Sequence, residues 1–317
     1  MIKRTSSISN FKKFVLAVIM PYFIALLLIG LVFTYFFEKK IILGSDISGA
    51  YKVNRIITST DTNEVIFLGS SRAEGTFIPD SLVNNGFNYG MNGTQDDVIL
   101  FFLREECKKK NKNTPIIINF DLDGLSYDIG DISNYLYNVN YSPVKKLLDT
   151  NYRAVYSLPF LKYYGYFELY SKYYLNAKTN LTKFTNNGAS LEKNVLPEEE
   201  FKQLVKERLQ QTYHFENDPL LEKEFYSIIN ANKNRLFVFV VVPYHYSFFN
   251  KFGNYEAAKQ YLSSLEKSSN VKVLNFANLN FPDSYFINTT HLNLKGALEF
   301  NKILKDSLKP YMRGYIN

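Results

Sequence analysis

Leu236-Phe237-Val238-Phe239-Val240-Val241-Val242, closed by Pro243, is the stretch on which the reading of the fold turns. The run is apolar throughout, almost entirely aromatic or β-branched, and far too short to cross a membrane. It has none of the polar alternation of a half-exposed strand, so it reads as a strand covered on both faces. Working outward, similar short runs recur at Val65-Ile66-Phe67-Leu68, Phe87-Asn88-Tyr89, Pro115 to Phe120 and Val271 to Phe276. Helical patterns separate them. One such helix is expected to start after a Thr94 cap, with Gln95, Asp96 and Asp97 first and Lys108-Lys109-Lys110 last, as the helix dipole favours. Continuous apolar strands alternating with helices predict an α/β domain with a parallel sheet of about five strands between two helical layers, in the order 2-1-3-4-5.

The remainder of the chain fits around that core. Residues 126–232, between the third and fourth strands, form an insertion with predicted helices near Pro197–Thr212 and Pro219–Asn232. It also holds Tyr163, Tyr164, Tyr166, Tyr170, Tyr173 and Tyr174, suited either to stacking on sugar rings or to ordinary helix packing. Phe14 to Phe37 is an uncharged, mostly apolar run of 24 residues, longer than the roughly 20 that cross the hydrocarbon. Cleaved signal peptides have an apolar region of about 7–15 residues and a small-residue cleavage site. This run is longer and ends in Phe33-Thr34-Tyr35-Phe36-Phe37, so an uncleaved anchor is expected. Lys3, Arg4, Lys12 and Lys13 precede it and only Lys39 and Lys40 follow, which orients residues 1–13 to the cytoplasm and the C-terminal domain outside. The expected organisation is an anchor at 14–37, a linker at 38–62 and one domain at 63–312.

Composition narrows the chemistry. A hydrophobic content of 46% supports a full core, and a net charge of +7 is spread among acids with no nucleic-acid motif. Cys107 is the sole cysteine, which rules out an intrachain disulfide and a cysteine-rich metal site. With only His214, His245 and His291, a multi-histidine metal centre is not expected, and no cofactor is called for.

In a parallel sheet, ligands bind beyond the carboxyl ends of the strands. Gly69-Ser70-Ser71-Arg72 follows the first strand and Asn88-Tyr89-Gly90-Met91-Asn92-Gly93-Thr94 the second. Asn288-Thr289-Thr290-His291-Leu292-Asn293-Leu294-Lys295-Gly296 opens the last helix. In order and spacing these resemble the first, second and last blocks of the SGNH (GDSL-type) hydrolases, over roughly residues 63 to 310 with the insertion unmatched. The resemblance implies a flavodoxin-like, SGNH hydrolase-like three-layer fold. It implies Ser71 as nucleophile with Ser70 in reserve, His291 as general base, and Gly90 with the Ser71 N–H as oxyanion donors. Arg72, beside the nucleophile, joins the implied substrate-binding set.

The pattern departs from the family in two places. Asn288 stands where the family has an Asp that orients the histidine; Asp283 is the other nearby acid, at the wrong spacing. Asp121-Leu122-Asp123-Gly124 replaces the third block, so the side-chain amide donor is missing and Asn92 is the candidate substitute. Asp123 would bring negative charge toward an oxyanion unless protonated or turned away. His245, just past the fourth strand, reads either as a substrate contact or as a surface-loop residue.

Similar departures occur in SGNH-like proteins of envelope assembly, such as those of alginate acetylation and D-alanine transfer to teichoic acids. The resemblance therefore implies a membrane-anchored esterase or O-acyltransferase acting on envelope or exported polysaccharide, alongside other envelope-assembly proteins. The alternative is a catalytically inactive SGNH-like protein that binds glycan or scaffolds polysaccharide assembly. A nucleotide-binding domain is disfavoured, because no Gly-x-Gly-x-x-Gly follows the first strand.

Overall fold

The computed structural model describes residues 6–38, 43, 46, 49–94, 96–109, 113–126, 183–210 and 212–316. At the N-terminus, α1 (Ser6–Phe14) runs through a π-helical segment, Val15–Ile19, into α2 (Met20–Phe37). The span Asn10–Phe37 is 28 residues long with a mean hydropathy of 2.8, long and apolar enough to cross a membrane. Among the described residues nothing buries its most apolar window, whereas Phe37, its last residue, is buried in the domain core.

The domain follows as α3 (Gly49–Thr58), β1 (Val65–Leu68), α4 (Ser71–Glu74), α5 (Pro79–Leu82), β2 (Gly86–Asn88), α6 (Asp96–Cys107) and β3 (Ile116–Asn119). A hairpin, β4 (Lys183–Asn186) with β5 (Ala189–Glu192), precedes α7 (Glu198–Arg208), β6 (Tyr213–His214) and α8 (Pro219–Ala231). The chain ends with β7 (Phe237–Val241), β8 (Phe252–Gly253), α9 (Tyr255–Leu265), β9 (Val271–Asn275) and α10 (Leu294–Met312). The main sheet has five parallel strands in the order β2-β1-β3-β7-β9, which is the expected 2-1-3-4-5.

The sheet is covered on both faces, as its uninterrupted apolar strands require. Ile66, Leu68, Ile116, Ile118, Phe237, Phe239 and Val241 face one core with residues of α3, α6, α8 and α9. The alternate residues Val65, Phe67, Ile117, Val238 and Val240 face the other, against Phe77, Leu82, Phe201, Phe300, Leu304 and Leu308. Register aligns Leu68 with Ile118, Asn119 with Val240, and Val241 with Asn275. The loops after β1, β3, β7 and β9 therefore leave the sheet at one edge, and that edge carries the candidate site.

Three features depart from the expectations. Residues 49–58, placed in the linker, form α3, whose Ala50, Val53 and Ile56 are buried in the first core; packed structure thus begins before residue 63. Lys52, on the same helix, is fully buried, with Nζ 2.9 Å from Glu74 Oε1 and donating also to Gly90 O. The hairpin β4–β5 lies inside the insertion and turns at Asn187 and Gly188, both at positive φ. Its Asn187 O accepts the N–H of Asn88, which covers the edge of β2. Finally, α6 starts at Asp96, and Thr94 Oγ1 donates to Met91 O. The expected helices at Pro197–Thr212 and Pro219–Asn232 are α7 and α8; the tyrosines at 163–174 lie outside the described residues.

Candidate active site

Ser71 reaches the cleft by a turn that only glycine permits. Gly69 has φ +148°, and a Cβ there would lie 2.6 Å from Ala73 Cβ and 2.8 Å from Asn119 Cβ. The tight turn leads directly into α4, whose N-cap is Ser70, accepting from Arg72 N at 3.3 Å. Ser71, the first helical residue, holds its Oγ 2.8 Å from His291 Nε2. The two residues are 220 positions apart in the chain.

His291 is held by a loop folded around one side-chain oxygen. Asn288 Oδ1 accepts from Thr290 N at 2.9 Å, His291 N at 3.0 Å and Thr290 Oγ1 at 3.0 Å. Two backbone N–H donors converge on that atom, so it must be the oxygen of the amide and not its nitrogen. The same oxygen lies 3.1 Å from His291 Nδ1, and Thr290 Oγ1 lies 2.9 Å from it. Nδ1 therefore carries the proton, and Nε2 presents a lone pair to Ser71. An Asn here sets the same tautomer an Asp would, without the negative charge. Asp283 is engaged elsewhere, 3.1 Å from His245 Nε2.

Burial and, secondarily, the Arg72 charge push the His291 pKa down to about 4, against a partial opposing pull from Asp121. At neutral pH the imidazole is the free base. Asp123 is pushed up to about 6, first by loss of water around its carboxyl and then by the neighbouring Asp121 charge, although the residue as a whole is exposed at the cleft, which weakens the first cause.

Arg72 is the mechanical centre of the site. It is 4% exposed and donates to Thr290 O at 2.9 Å, Asp121 Oδ1 at 2.9 Å, Val242 O at 2.8 Å and Pro243 O at 3.0 Å. Its guanidinium lies 3.4 Å from the centroid of the Tyr244 ring. The loops after β1, β3 and β7 and the His291 loop thus meet on one planar cation, whose rigid fork suits several fixed acceptors.

Ser71 and His291 line a cleft of about 410 Å³, together with Ser70, Arg72, Asn92, Gly93, Asp121 and Asp123. Three expected residues take other positions. Ser70 Oγ donates to Asp121 Oδ2 at 2.6 Å, away from the imidazole, so the reserve hydroxyl is a cap and a brace. Gly90 spends its N–H on Asn88 Oδ1 at 2.8 Å and does not line the cleft; the short side chain of Asn88 folds back onto the turn before any ligand can use that donor. His245 is 2% exposed beneath the surface, between Ser247 Oγ at 2.6 Å and Asp283, so it is neither a cleft residue nor part of an open loop. Its backbone N–H supports the histidine loop instead, donating to Thr289 O at 3.0 Å.

Asn92 does face the cleft, and its backbone N–H is bound to Glu74 Oε2 at 3.0 Å, leaving the side chain exposed. Sequence reasoning missed Arg208 and Tyr213, which enter the cleft wall from the insertion, and Thr290, which shares the His291 proton. Nothing in the local pattern around Arg208 distinguishes it from a solvated helix-end cation. Among the described residues no cluster of three metal-ligating side chains occurs.

No protein-family model matches the chain, and no curated protein matches it significantly. Among solved structures, a Streptococcus pneumonia protein provisionally described as a platelet activating factor aligns with 86% of this chain and 95% of its own. The identity is 12% and the TM-score 0.43, a likeness too slight to assign family or chemistry.

Proposed function

We propose that the protein is a membrane-anchored serine esterase or O-acyltransferase of SGNH type, its domain outside the cytoplasm and its substrate an acylated cell-envelope or exported polysaccharide. The observation that carries this reading is the 2.8 Å contact between Ser71 Oγ and the lone pair of His291 Nε2. Ser71 Oγ attacks the acyl carbonyl carbon as its proton passes to Nε2. The tetrahedral oxyanion is met by the N–H of Ser71, which has no acceptor within its own helix because it opens α4. Asn92 is the side-chain amide available in the cleft wall. Collapse breaks the ester C–O bond, the Nε2 proton leaves on the alcohol, and water or a glycan hydroxyl then takes the acyl group by the reverse steps.

A base whose pKa is about 4 accepts a serine proton less readily than one poised near neutrality. Slow turnover follows from that and from the missing carboxylate at position 288. The same two features favour the second reading, a glycan-binding or scaffolding descendant without turnover. Labelling of the full chain by a fluorophosphonate probe separates them. Ser71→Ala is expected to abolish labelling while Ser70→Ala retains it; labelling that survives Ser71→Ala would sink the assignment.

A further inference from the structure

Beside the catalytic cleft lies a second cavity of about 290 Å³, lined by Tyr244, Tyr246, Phe249, Asn278, Leu279, Asn280 and Phe281. Tyr244 also lines the catalytic cleft, so the two cavities share a wall. The geometry points to this cavity as a subsite for one neutral pyranose ring of the substrate, next to the ester held at Ser71. The inference rests on the polysaccharide reading above and names where the sugar sits.

The lining favours a sugar on several grounds. Its volume is at the small end of the about 300–1,000 Å³ range of ligand pockets, room for one ring rather than a chain. Four of its seven lining residues are aromatic, and one of them, Tyr246, is 65% exposed. An exposed aromatic offers an apolar face for ring C–H groups and, in tyrosine, a polar edge for hydroxyls. Phe249 is fixed edge-on to Tyr244 and Tyr255, at 6.2 and 5.1 Å between centroids, and Phe281 edge-on to Tyr285 at 5.3 Å. These rings therefore form a preset surface. Two exposed amides complete it. Asn278 Nδ2 donates to Tyr255 OH at 3.0 Å, which leaves its carbonyl oxygen as acceptor. Asn280 makes no side-chain hydrogen bond among the described residues, so it brings two donors and an acceptor. No charged side chain lines the cavity, which selects a neutral ring over an anionic one. An aliphatic acyl chain would use the rings but none of the amides.

The test measures acetate release by the full chain in detergent from acetylated xylo-oligosaccharides and from triacetin, an ester without a ring. Tyr246→Ala and Asn280→Ala are each expected to lower the ratio of kcat/KM for oligosaccharide over triacetin by about tenfold, a loss of about 1.4 kcal/mol. An unchanged ratio overturns the subsite. So does a larger loss on 4-nitrophenyl octanoate than on the oligosaccharide, which would assign the cavity to an acyl chain. Where no Ser71-dependent release occurs at all, the hydrolytic reading fails separately. Saturation-transfer NMR with xylohexaose, cellohexaose and chitohexaose then decides the subsite. A saturation-transfer signal that disappears in Tyr246→Ala supports it; a signal that persists in that variant, or no signal with any of the three sugars, overturns it.

Discussion

Asn288 positions His291 by accepting hydrogen bonds at one oxygen, and supplies no charge to stabilise the imidazolium. Asn288→Asp keeps that acceptor and adds the charge. We expect it to raise the His291 pKa above about 4 and to increase esterase kcat by about tenfold, since a carboxylate at that position stabilises the imidazolium that forms as Ser71 loses its proton. A pH–rate profile of the variant checks both; a slower enzyme with an unmoved acid limb would show that residue 288 does not act through His291. In the unmodified protein, activity should fall as pH drops through about 4, where Nε2 takes a proton and can no longer accept one from Ser71. On the other side, ionisation of Asp123 near pH 6 places negative charge in the cleft where the oxyanion develops. Because that carboxylate is partly screened by water, the decline should be modest, about two- to threefold. Asp123→Asn should abolish it while leaving the acid limb in place. At this scale motif spacing singles out Ser71 and His291 as candidates, and their side chains lie 2.8 Å apart. The Gly90 N–H, expected to face the cleft, is taken by the Asn88 side chain, and motif spacing does not reveal such a commitment.

Among the elements, α4 shows how a helix of one turn becomes a fixed platform. Ser70→Ala removes its cap and the bond to Asp121, and should cost about 1 kcal/mol of stability with fluorophosphonate labelling retained. Arg72→Met should cost more, about 3 kcal/mol, because it leaves Asp121 without its ion-pair partner and three carbonyl oxygens without the guanidinium that bonds them. Urea denaturation of both variants measures the difference. A loss for Arg72→Met no larger than for Ser70→Ala would remove Arg72 from the centre of the site. The main strands were readable because doubly covered strands are apolar without interruption. The hairpin has a local signal too: Asn187-Gly188 between Lys183–Asn186 and Ala189–Glu192 is the dipeptide that a two-residue hairpin turn prefers. By contrast, α3 was hidden. Its Lys52 looks like a surface residue until Glu74, 22 positions away, is brought against it.

For the whole molecule, the packed domain extends back to α3 and to Phe37, the last residue of the apolar helix. Ala50, Val53 and Ile56 are buried against α6 and the sheet, and Lys52 joins Glu74 and the Gly90 carbonyl behind the cleft wall. A chain starting at residue 44 should fold and keep Ser71 reactivity. One starting at residue 63 should lose about 4 kcal/mol or more, from exposed apolar surface and an unpaired Glu74. Thermal unfolding and probe labelling of the two truncations test this; equal stability would show α3 to be dispensable.

The amino-acid order alone determined the layers, the parallel sheet and the long apolar N-terminal helix, because hydrophobic patterning is a local record of what each segment must bury. The strand order was the one doubly wound folds commonly take, and only the pairing of the strands decided it. The sequence also singled out Ser71 and His291 as candidates. Only the tertiary structure decided that they meet, which proton the imidazole keeps, and that Arg72 holds their loops together. Those outcomes depend on which donors and acceptors from distant segments find one another, and no single segment carries that information.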